Sequence, residues 1–307
     1  MAGSDYQPEI LDFGPVKFLR GRRGGRYPYC HSVIVADGEV AFIDPSADQQ
    51  QCRRLAHDPN LTAVLLSHFH EDHQKYLYLF APDLIWAPAA EAGAFTSMAG
   101  VFELLGIEDP QYYQYWQKTL VKEFHYRPLQ QVRTFRDGDE LRFGRTPLQV
   151  IHTPGHTPGH SCFYFPEQDI LYLADMDLTP FGPWYGDRAS DINALLASLD
   201  RLEEFRARTY LTAHGQGVFP GAEARLALGR FRQVIFDRET ELLSLLREPL
   251  TLEELIARRL IYRKPLEPAF VYDHIERQML GKHLQRLLSA GGVKLTEDGY
   301  VATGRNP

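Results

Sequence analysis

Short apolar runs that end at polar residues recur along the first two thirds of the chain. The segment HSVIVADGEVAFIDPS, residues 31–46, predicts two strands joined by a hairpin at Asp37-Gly38. Further buried strands are predicted from LTAVLLS (61–67), LQVIH (148–152), DILYLAD (169–175) and TYLTAH (209–214). Helices are predicted at 48–57 and in DINALLASLDRLEEF (191–205), where apolar residues recur at helical spacing. Because strands and helices alternate, the pattern predicts an α/β fold.

The pattern changes after Pro220-Gly221. ETELLSLLR and TLEELIARRL predict two helices, the second with a capping box from Thr251 to Glu254, and a third helix is predicted at about 272–290. Gly291-Gly292 and VKLTEDGYVAT then predict a hairpin. Helices followed by a small hairpin form the outline of a winged helix. We therefore predict two domains: residues 1–221, and a small, helical, winged-helix-like domain at 222–307.

Residues 76–126 carry 12 aromatic residues in 51 positions. This density predicts helices that pack through their aromatic side chains. A lid or substrate wall beside a functional site, or a dimer surface, remains an alternative.

Histidine and aspartate residues follow directly after several of the predicted strands. Ser67–His73 places His68, His70, Asp72 and His73 within six positions, and imidazole and carboxylate are ligands that zinc, iron and manganese share. One cluster does not complete two coordination spheres, so later residues must contribute. His156 lies in the turn HTPGHTPGHS, while Asp175 and His214 each end a strand.

This set of motifs resembles the metallo-β-lactamase superfamily, over roughly residues 13 to 215. The matching features are HxHxDH, a PGHT turn, the strand-ending Asp and His, an IDP turn at 43–45 and a DGDELRFG hairpin at 137–144. The resemblance implies an αββα sandwich that precedes the C-terminal helical domain. It implies two divalent metal ions, with zinc the first choice and iron or manganese as alternatives.

Residue by residue, the resemblance assigns seven metal ligands. His68, His70 and His156 would bind the first ion, and Asp72, His73 and His214 the second, with Asp175 bridging the two. We prefer Asp175 to Asp177 as the bridge because it directly follows the apolar strand. The family usually has glycine before this Asp, where this chain has Ala174.

The reaction implied is hydrolysis by a metal-bridging hydroxide, with Asp72 and Tyr185 as the catalytic candidates. Tyr185 lies in the run from Phe181 to Asp187, close enough in sequence to Asp175 to donate a hydrogen bond to a developing oxyanion. A tight turn packed by Trp184 is the alternative interpretation of this run. His152 and His160 flank the PGHT turn and are predicted to support the ligands rather than bind metal.

Charge and composition limit the partners. Residues 1–221 carry 19 basic and 28 acidic residues, a balance of −9, while the tail carries 14 and 12, a balance of +2. A general nucleic-acid-binding surface is therefore not expected, and if any part binds nucleic acid it is the tail. A loop with Arg20, Arg22, Arg23 and Arg26 is either solvated surface or an anion-binding lip.

Location follows from what the chain lacks. No run of about 18 apolar residues occurs, and the opening MAGSDYQPEILDF has no basic stretch followed by an apolar one. Three scattered cysteines fit a reducing compartment. We expect a cytoplasmic protein with no membrane segment, and self-association into a homo-oligomer stays open.

Three functions remain open at this point. The first is a hydrolase of a small thioester, ester or lactone, similar to the glyoxalase II and lactonase branches, although no clear counterpart of a glutathione-binding C-terminal segment is present. The second is a phosphodiesterase or endoribonuclease of the lactamase-β-like group, for which the winged-helix-like tail argues. The third is an iron-dependent dioxygenase, because imidazole and carboxylate also bind iron.

Overall fold

The computed structural model describes residues 8–304, and within them the predicted α/β fold is confirmed. The first seven residues, which begin the opening segment MAGSDYQPEILDF, lie outside the described range. Seven strands form the first sheet, in the order β1 (Ile10–Phe13), β2 (Val16–Leu19), β3 (Ser32–Asp37), β4 (Glu39–Ile43), β5 (Leu61–Leu65), β6 (Ile85–Pro88) and β7 (Arg133–Phe135). The sheet is antiparallel up to β4 and parallel from β4 to β7.

Six strands form the second sheet. Their order is β13 (Val218–Pro220), β12 (Thr209–Leu211), β11 (Ile170–Tyr172), β10 (Ser161–Phe165), β9 (Thr146–His152) and β8 (Glu140–Phe143). Only the β11 and β12 pair is parallel among these strands. A separate hairpin pairs β14 (Val293–Thr296) with β15 (Gly299–Ala302), as predicted.

Nine helical segments accompany the strands in the described residues, along with three 3-10 turns between 77 and 91. They are α1 (Arg22–Gly25), α2 (Gln49–Ala56), α3 (Ala92–Thr96), α4 (Met98–Leu105), α5 (Pro110–Lys122), α6 (Ile192–Glu204), α7 (Gly221–Leu245), α8 (Leu252–Ala257) and α9 (Ala269–Ser289). None of the helices within residues 8–304 is both long and apolar enough to cross a membrane.

The two sheets pack face to face because side chains alternate along each strand. Val33 and Val35 of β3 point inward and share one buried cluster with Val150 and Phe163 of the second sheet. Ile34, between them, points outward. Helices cover both outer faces, so the layers run α, β, β, α and the predicted sandwich is confirmed.

The outer face of the first sheet is covered by α2 and by the aromatic segment 76–126. Phe95, Phe102 and Leu120 of α3, α4 and α5 are buried there, so the predicted helical packing is confirmed. The 12 aromatic residues do not all point inward, however. Tyr115 remains exposed, and it lines a cavity described below.

The outer face of the second sheet is covered by α6, α7 and α9. Leu199 of α6, Leu228 of α7 and Leu280 of α9 belong to one buried cluster with Leu171 of β11. The helices after residue 221 therefore share a core with the second sheet. The capping box of α8 from Thr251 to Glu254 is confirmed, whereas the division into two domains and the winged-helix comparison stay predictions.

The sandwich brings four strand ends to one place. The loop from His68 to His73 follows β5, and the turn with His156 follows β9. Asp175 follows β11, and His214 follows β12. Catalytic groups commonly sit on loops that a rigid scaffold holds in this way.

Gly155 lets the turn that presents His156 approach α6 closely. Its φ is +127°, and an added Cβ would lie 2.2 Å from the backbone nitrogen of Leu195. We predict that Gly155→Ala lowers the free energy of unfolding by at least about 2 kcal/mol, because the residue must both strain and displace backbone. Urea denaturation followed by circular dichroism measures the change.

The matched control is Gly281→Ala within α9, where an added Cβ meets no atom within 4 Å. This variant should gain up to about 1 kcal/mol, since alanine has the higher helix propensity. Equal urea midpoints for Gly155→Ala and the unmodified protein would contradict the close contact between Gly155 and α6.

Candidate metal centre

The loop from His68 to His73 is fixed to the end of β4 by Asp44. The backbone nitrogen of Ser67 donates to Asp44 Oδ1 at 2.8 Å, and Asp44 Oδ2 accepts from His73 Nδ1 at 3.0 Å. Asp44 lies in the IDP turn with a φ of 53°, in the left-handed region. One buried carboxylate thus sets both the start of the loop and the orientation of a predicted ligand.

Three imidazole nitrogens converge in the first group of predicted ligands. His70 Nδ1 lies 3.0 Å from both His68 Nε2 and His156 Nε2, and those two atoms lie 3.3 Å apart. Asp175 Oδ2 lies 3.3 Å from His156 Nε2. Ring nitrogens that point at a common centre, rather than at hydrogen-bond partners, have the arrangement expected around a cation.

The second group contains Asp72, His73 and His214. The other oxygen of Asp175, Oδ1, lies 2.8 Å from His73 Nε2 and 3.2 Å from His214 Nε2. Asp72 Oδ2 lies 3.5 Å from His214 Nε2. The structure therefore brings all seven predicted ligands together and divides them as expected, with Asp175 facing both groups.

Unsatisfied atoms in the centre test whether a metal fits. His73 Nε2 and Asp175 Oδ1 are buried, and despite their proximity neither makes an aligned hydrogen bond. A buried polar atom left without a partner costs about 1–3 kcal/mol. A cation between these atoms would satisfy both, and the donor set of imidazole and carboxylate suits a divalent metal.

Without metal, the protonation states of these groups depend on burial and on their charged neighbours. Burial, reinforced by the neighbouring His73, lowers the pKa of His68 well below its ordinary value. Burial alone would raise the pKa of Asp175, but the imidazoles of His73 and His214 outweigh it and hold that pKa well below the usual range. His68 is thus neutral and Asp175 ionised. Burial acts to lower the pKa of His214, but Asp175 raises it to about 9, so a metal ion would displace a proton there.

Outer hydrogen bonds decide which ring nitrogen of each histidine faces the centre. His156 Nδ1 donates to the carbonyl of Trp184 at 2.9 Å, and His214 Nδ1 donates to the carbonyl of Gly25 at 2.5 Å. Both rings therefore turn Nε2 inward. Such outer contacts set the tautomer and the basicity of metal-binding imidazoles.

His70 is the exception, because its Nε2 faces outward. Nε2 donates to Asp187 Oδ2 at 2.7 Å, which leaves Nδ1 for the centre. Burial acts to lower the pKa of His70, but the carboxylate of Asp187 raises it to about 9. Asp187 is itself buried, and its backbone carbonyl accepts from the ammonium of Lys282 on α9.

Sequence reasoning missed the roles of Asp44 and Asp187. Both lie within motifs that were noted, the IDP turn and the run from Phe181 to Asp187. Nothing in either motif indicated which histidine each would contact.

The supporting role predicted for His160 and His152 agrees with their positions. His160 Nε2 accepts from the backbone nitrogen of Asp175 at 3.2 Å, and burial keeps the pKa of His160 low enough for that acceptor role. His152 Nε2 contacts the carbonyl of Pro158 at 2.8 Å across the PGHT turn. Ala174, where the family usually has glycine, adopts a φ of 48°.

Tyr185 does not occupy the place that its predicted catalytic role requires. Its side chain is fully buried, and its hydroxyl donates to His283 Nε2 at 2.7 Å and accepts from Arg238 at 2.8 Å. The hydroxyl thus joins α7 to α9 instead of facing the metal groups. Asp72, the other catalytic candidate, does line the cavity described next, and its role stays a prediction.

A cavity of about 1350 Å³ opens on both groups of ligands. Aromatic and aliphatic side chains from α5, α7, α9 and the loop after Asp175 supply most of its lining. Of the four loop arginines, only Arg26 reaches it. Arg22 pairs with Asp48, Arg20 with Glu9, and the guanidinium of Arg23 lies 6.0 Å from the ring centre of Tyr29.

A family model described as the metallo-beta-lactamase superfamily matches residues 28–214, a range that includes all seven ligands. An atrochrysone carboxyl ACP thioesterase of Claviceps purpurea is 25% identical over 259 residues, covering 75% of this chain and 72% of that protein. A hydroxyacylglutathione hydrolase of Rhizobium etli is 49% identical over 43 residues, covering only 14% of this chain and 17% of that protein.

Two solved structures have a similar fold. A metallo-beta-lactamase family protein from Thermus thermophilus has a TM-score of 0.65 at 25% identity, covering 89% of this chain and 93% of its own. A beta-lactamase domain protein from Burkholderia ambifaria has a TM-score of 0.69 at 18% identity, covering 98% and 96%. These alignments extend through most of the helical C-terminal region.

We predict that Asp187→Asn weakens zinc binding by roughly 10- to 100-fold, because the negative charge that fixes and polarises His70 is lost. Competition with a chromophoric chelator measures the affinity. Asp200→Asn, on the exposed side of α6, is the control and should bind zinc like the unmodified protein. Unchanged zinc affinity in Asp187→Asn would mean that the contact to His70 has no role in the centre.

Proposed function

The chain belongs to the metallo-β-lactamase superfamily, and from that premise we propose that it hydrolyses thioesters with two divalent metal ions, zinc in the first instance. The observation that carries the proposal is the pair of ligand groups that share Asp175 at the end of a largely apolar cavity. The thioesterase from Claviceps purpurea, similar over most of both chains, supports the choice of thioesters. Esters and lactones share the carbonyl chemistry and remain within the proposal.

The chain's own residues leave attack on the carbonyl to water. Among the described residues, neither serine nor cysteine lines the cavity, and all three cysteines are buried. Divalent ions held by the two groups would act as Lewis acids on the carbonyl and would acidify a water molecule. The seven ligands would hold these ions in place, and the apolar lining would keep bulk water away from the scissile bond.

Asp72 is the ligand best placed for a further part in the reaction. Its carboxylate belongs to the second group and lines the cavity, beside Glu71. A carboxylate at this position can hold a proton during transfer to the leaving thiolate. Tyr185 has no part in the proposal.

The phosphodiesterase or endoribonuclease alternative ranks lower for electrostatic reasons. Outside the metal groups, Arg26 and Arg230 are the cationic side chains of the cavity in the described residues, and they are opposed by Glu71, Asp177, Asp187 and Glu267. Nucleic-acid sites usually concentrate positive charge. A small acyl substrate is therefore the proposed partner.

The reaction type is tested by parallel assays on the zinc-loaded protein. We expect acyl thioesters to be cleaved with a higher kcat/KM than bis-p-nitrophenyl phosphate or single-stranded RNA at low salt. His68→Ala should lower thioester hydrolysis by more than about 100-fold, since it removes Lewis-acid stabilisation worth several kcal/mol. His57→Ala, an exposed histidine at the end of α2, should leave the rate unchanged.

Preferential cleavage of RNA that disappears in His70→Ala would replace the thioesterase proposal with the endoribonuclease one. Thioester hydrolysis that survives His68→Ala at full rate would remove the metal centre from the reaction.

A further inference from the structure

One wall of the cavity is apolar and begins beside the first group of ligands. It is made of Trp184, Tyr262, Val271, Tyr272 and Ile275. The indole ring of Trp184 lies 5.3 Å from the ring of His70 and 5.7 Å from that of His156, measured between centroids. Trp184 Nε1 donates to the hydroxyl of Tyr262 at 3.2 Å, and the ring of Tyr262 lies 5.2 Å from that of Tyr272. A row of neighbouring aromatic rings thus runs from the metal ligands to α9.

The C-terminal helix α9 extends this wall. Val271 and Tyr272, and Ile275 about one turn later, all line the cavity. Gly186 allows Trp184 and Ile275 to pack closely against the backbone, because an added Cβ would lie 2.5 Å from Trp184 and 2.6 Å from Ile275. The wall is therefore packed rather than loosely assembled.

Helix α5 packs against α9 beside this wall. Tyr112, Tyr115 and Trp116 line the cavity, and the ring of Tyr115 lies 5.3 Å from that of Phe270 at the start of α9. The aromatic segment 76–126 thus contributes to the site as well as to the core. A large cavity lined by apolar side chains of α5 and α9, with a reactive centre beside them, suits an elongated apolar group.

The charged residues that line the cavity lie outside this wall: Asp187 contacts His70, Arg230 lies on α7 and Glu267 precedes α9. Beside the second group, Tyr27 donates to Glu71 at 2.9 Å, next to Asp72, and Arg26 directly precedes Tyr27. The wall made of Trp184, Tyr262, Tyr272, Val271 and Ile275 carries no charge. Burying a charged substrate group there would cost free energy without a compensating partner.

Building on the proposed function, we infer that this wall binds the acyl part of the substrate and that the substrate is a thioester of a long, apolar acid. Each methylene that moves from water to the wall stabilises the bound state, whereas an acetyl or lactoyl group would leave most of the wall unused. The C-terminal helices therefore determine substrate length, and the two sheets supply the chemistry.

Chain-length dependence tests the inference on the zinc-loaded full chain. We expect kcat/KM for acyl thioesters of one thiol to rise from acetyl to decanoyl, by up to about fourfold per methylene. Ile275→Trp should fill the space beside the wall. It should lower kcat/KM for the decanoyl thioester at least about tenfold and change kcat/KM for the acetyl thioester little. Leu226→Trp, at an exposed position on α7, is the control and should keep the full length dependence.

A binding measurement separates recognition from catalysis. The S-decyl thioether of the same thiol has no carbonyl to hydrolyse, and in isothermal titration calorimetry it should bind far more tightly than the S-ethyl thioether. Ile275→Trp should remove this difference, and Val271→Trp serves the same purpose if the first variant does not fold.

The outcomes distinguish this inference from the proposed function. If no thioester of any length is cleaved, the proposed function is wrong. If all lengths are cleaved with equal kcat/KM and the two thioethers bind alike, the function stands and the acyl wall is wrong. The length dependence of the unmodified protein decides this even if both tryptophan variants fail to fold.

Discussion

The carboxylate of Asp175 is the contact on which the site depends, because each of its oxygens faces a different group of imidazoles. Seven buried or nearly buried polar side chains around one point would be costly without a compensating charge. The fold offsets part of that cost through outer partners such as Asp44 and Asp187, which also fix the ring orientations. We propose that divalent metal offsets the remainder, and this is why we regard the centre as a metal site rather than a set of ion pairs.

The helices after residue 221 are connected to this centre by a second set of buried polar contacts. Arg238 of α7 donates to the carbonyls of Phe181 and Pro183, and to the hydroxyl of Tyr185, which in turn donates to His283 of α9. The loop held in this way carries Trp184 and Asp187, one on the cavity wall and one against His70. A change in the packing of α7 or α9 would therefore reach both the ligands and the substrate site.

Much of this arrangement could be predicted from sequence, because it follows from local patterns. The strands before His68, Asp175 and His214 were evident from their apolar runs, and the sandwich followed from the resemblance that the ligand motifs carry. Contacts between distant residues could not be predicted in the same way. Asp187 is 117 residues from His70, and the direction of Tyr185 depends on α7 and α9, which no local pattern relates to the loop.

The central claim is that Asp175 joins two metal sites, and anomalous diffraction at the zinc edge tests it most directly. Crystals of the zinc-loaded protein should show two peaks about 3.5–4 Å apart. One peak should lie among His68, His70 and His156, the other among Asp72, His73 and His214, each next to a different oxygen of Asp175. A single peak, or two peaks that do not share Asp175, would contradict the account.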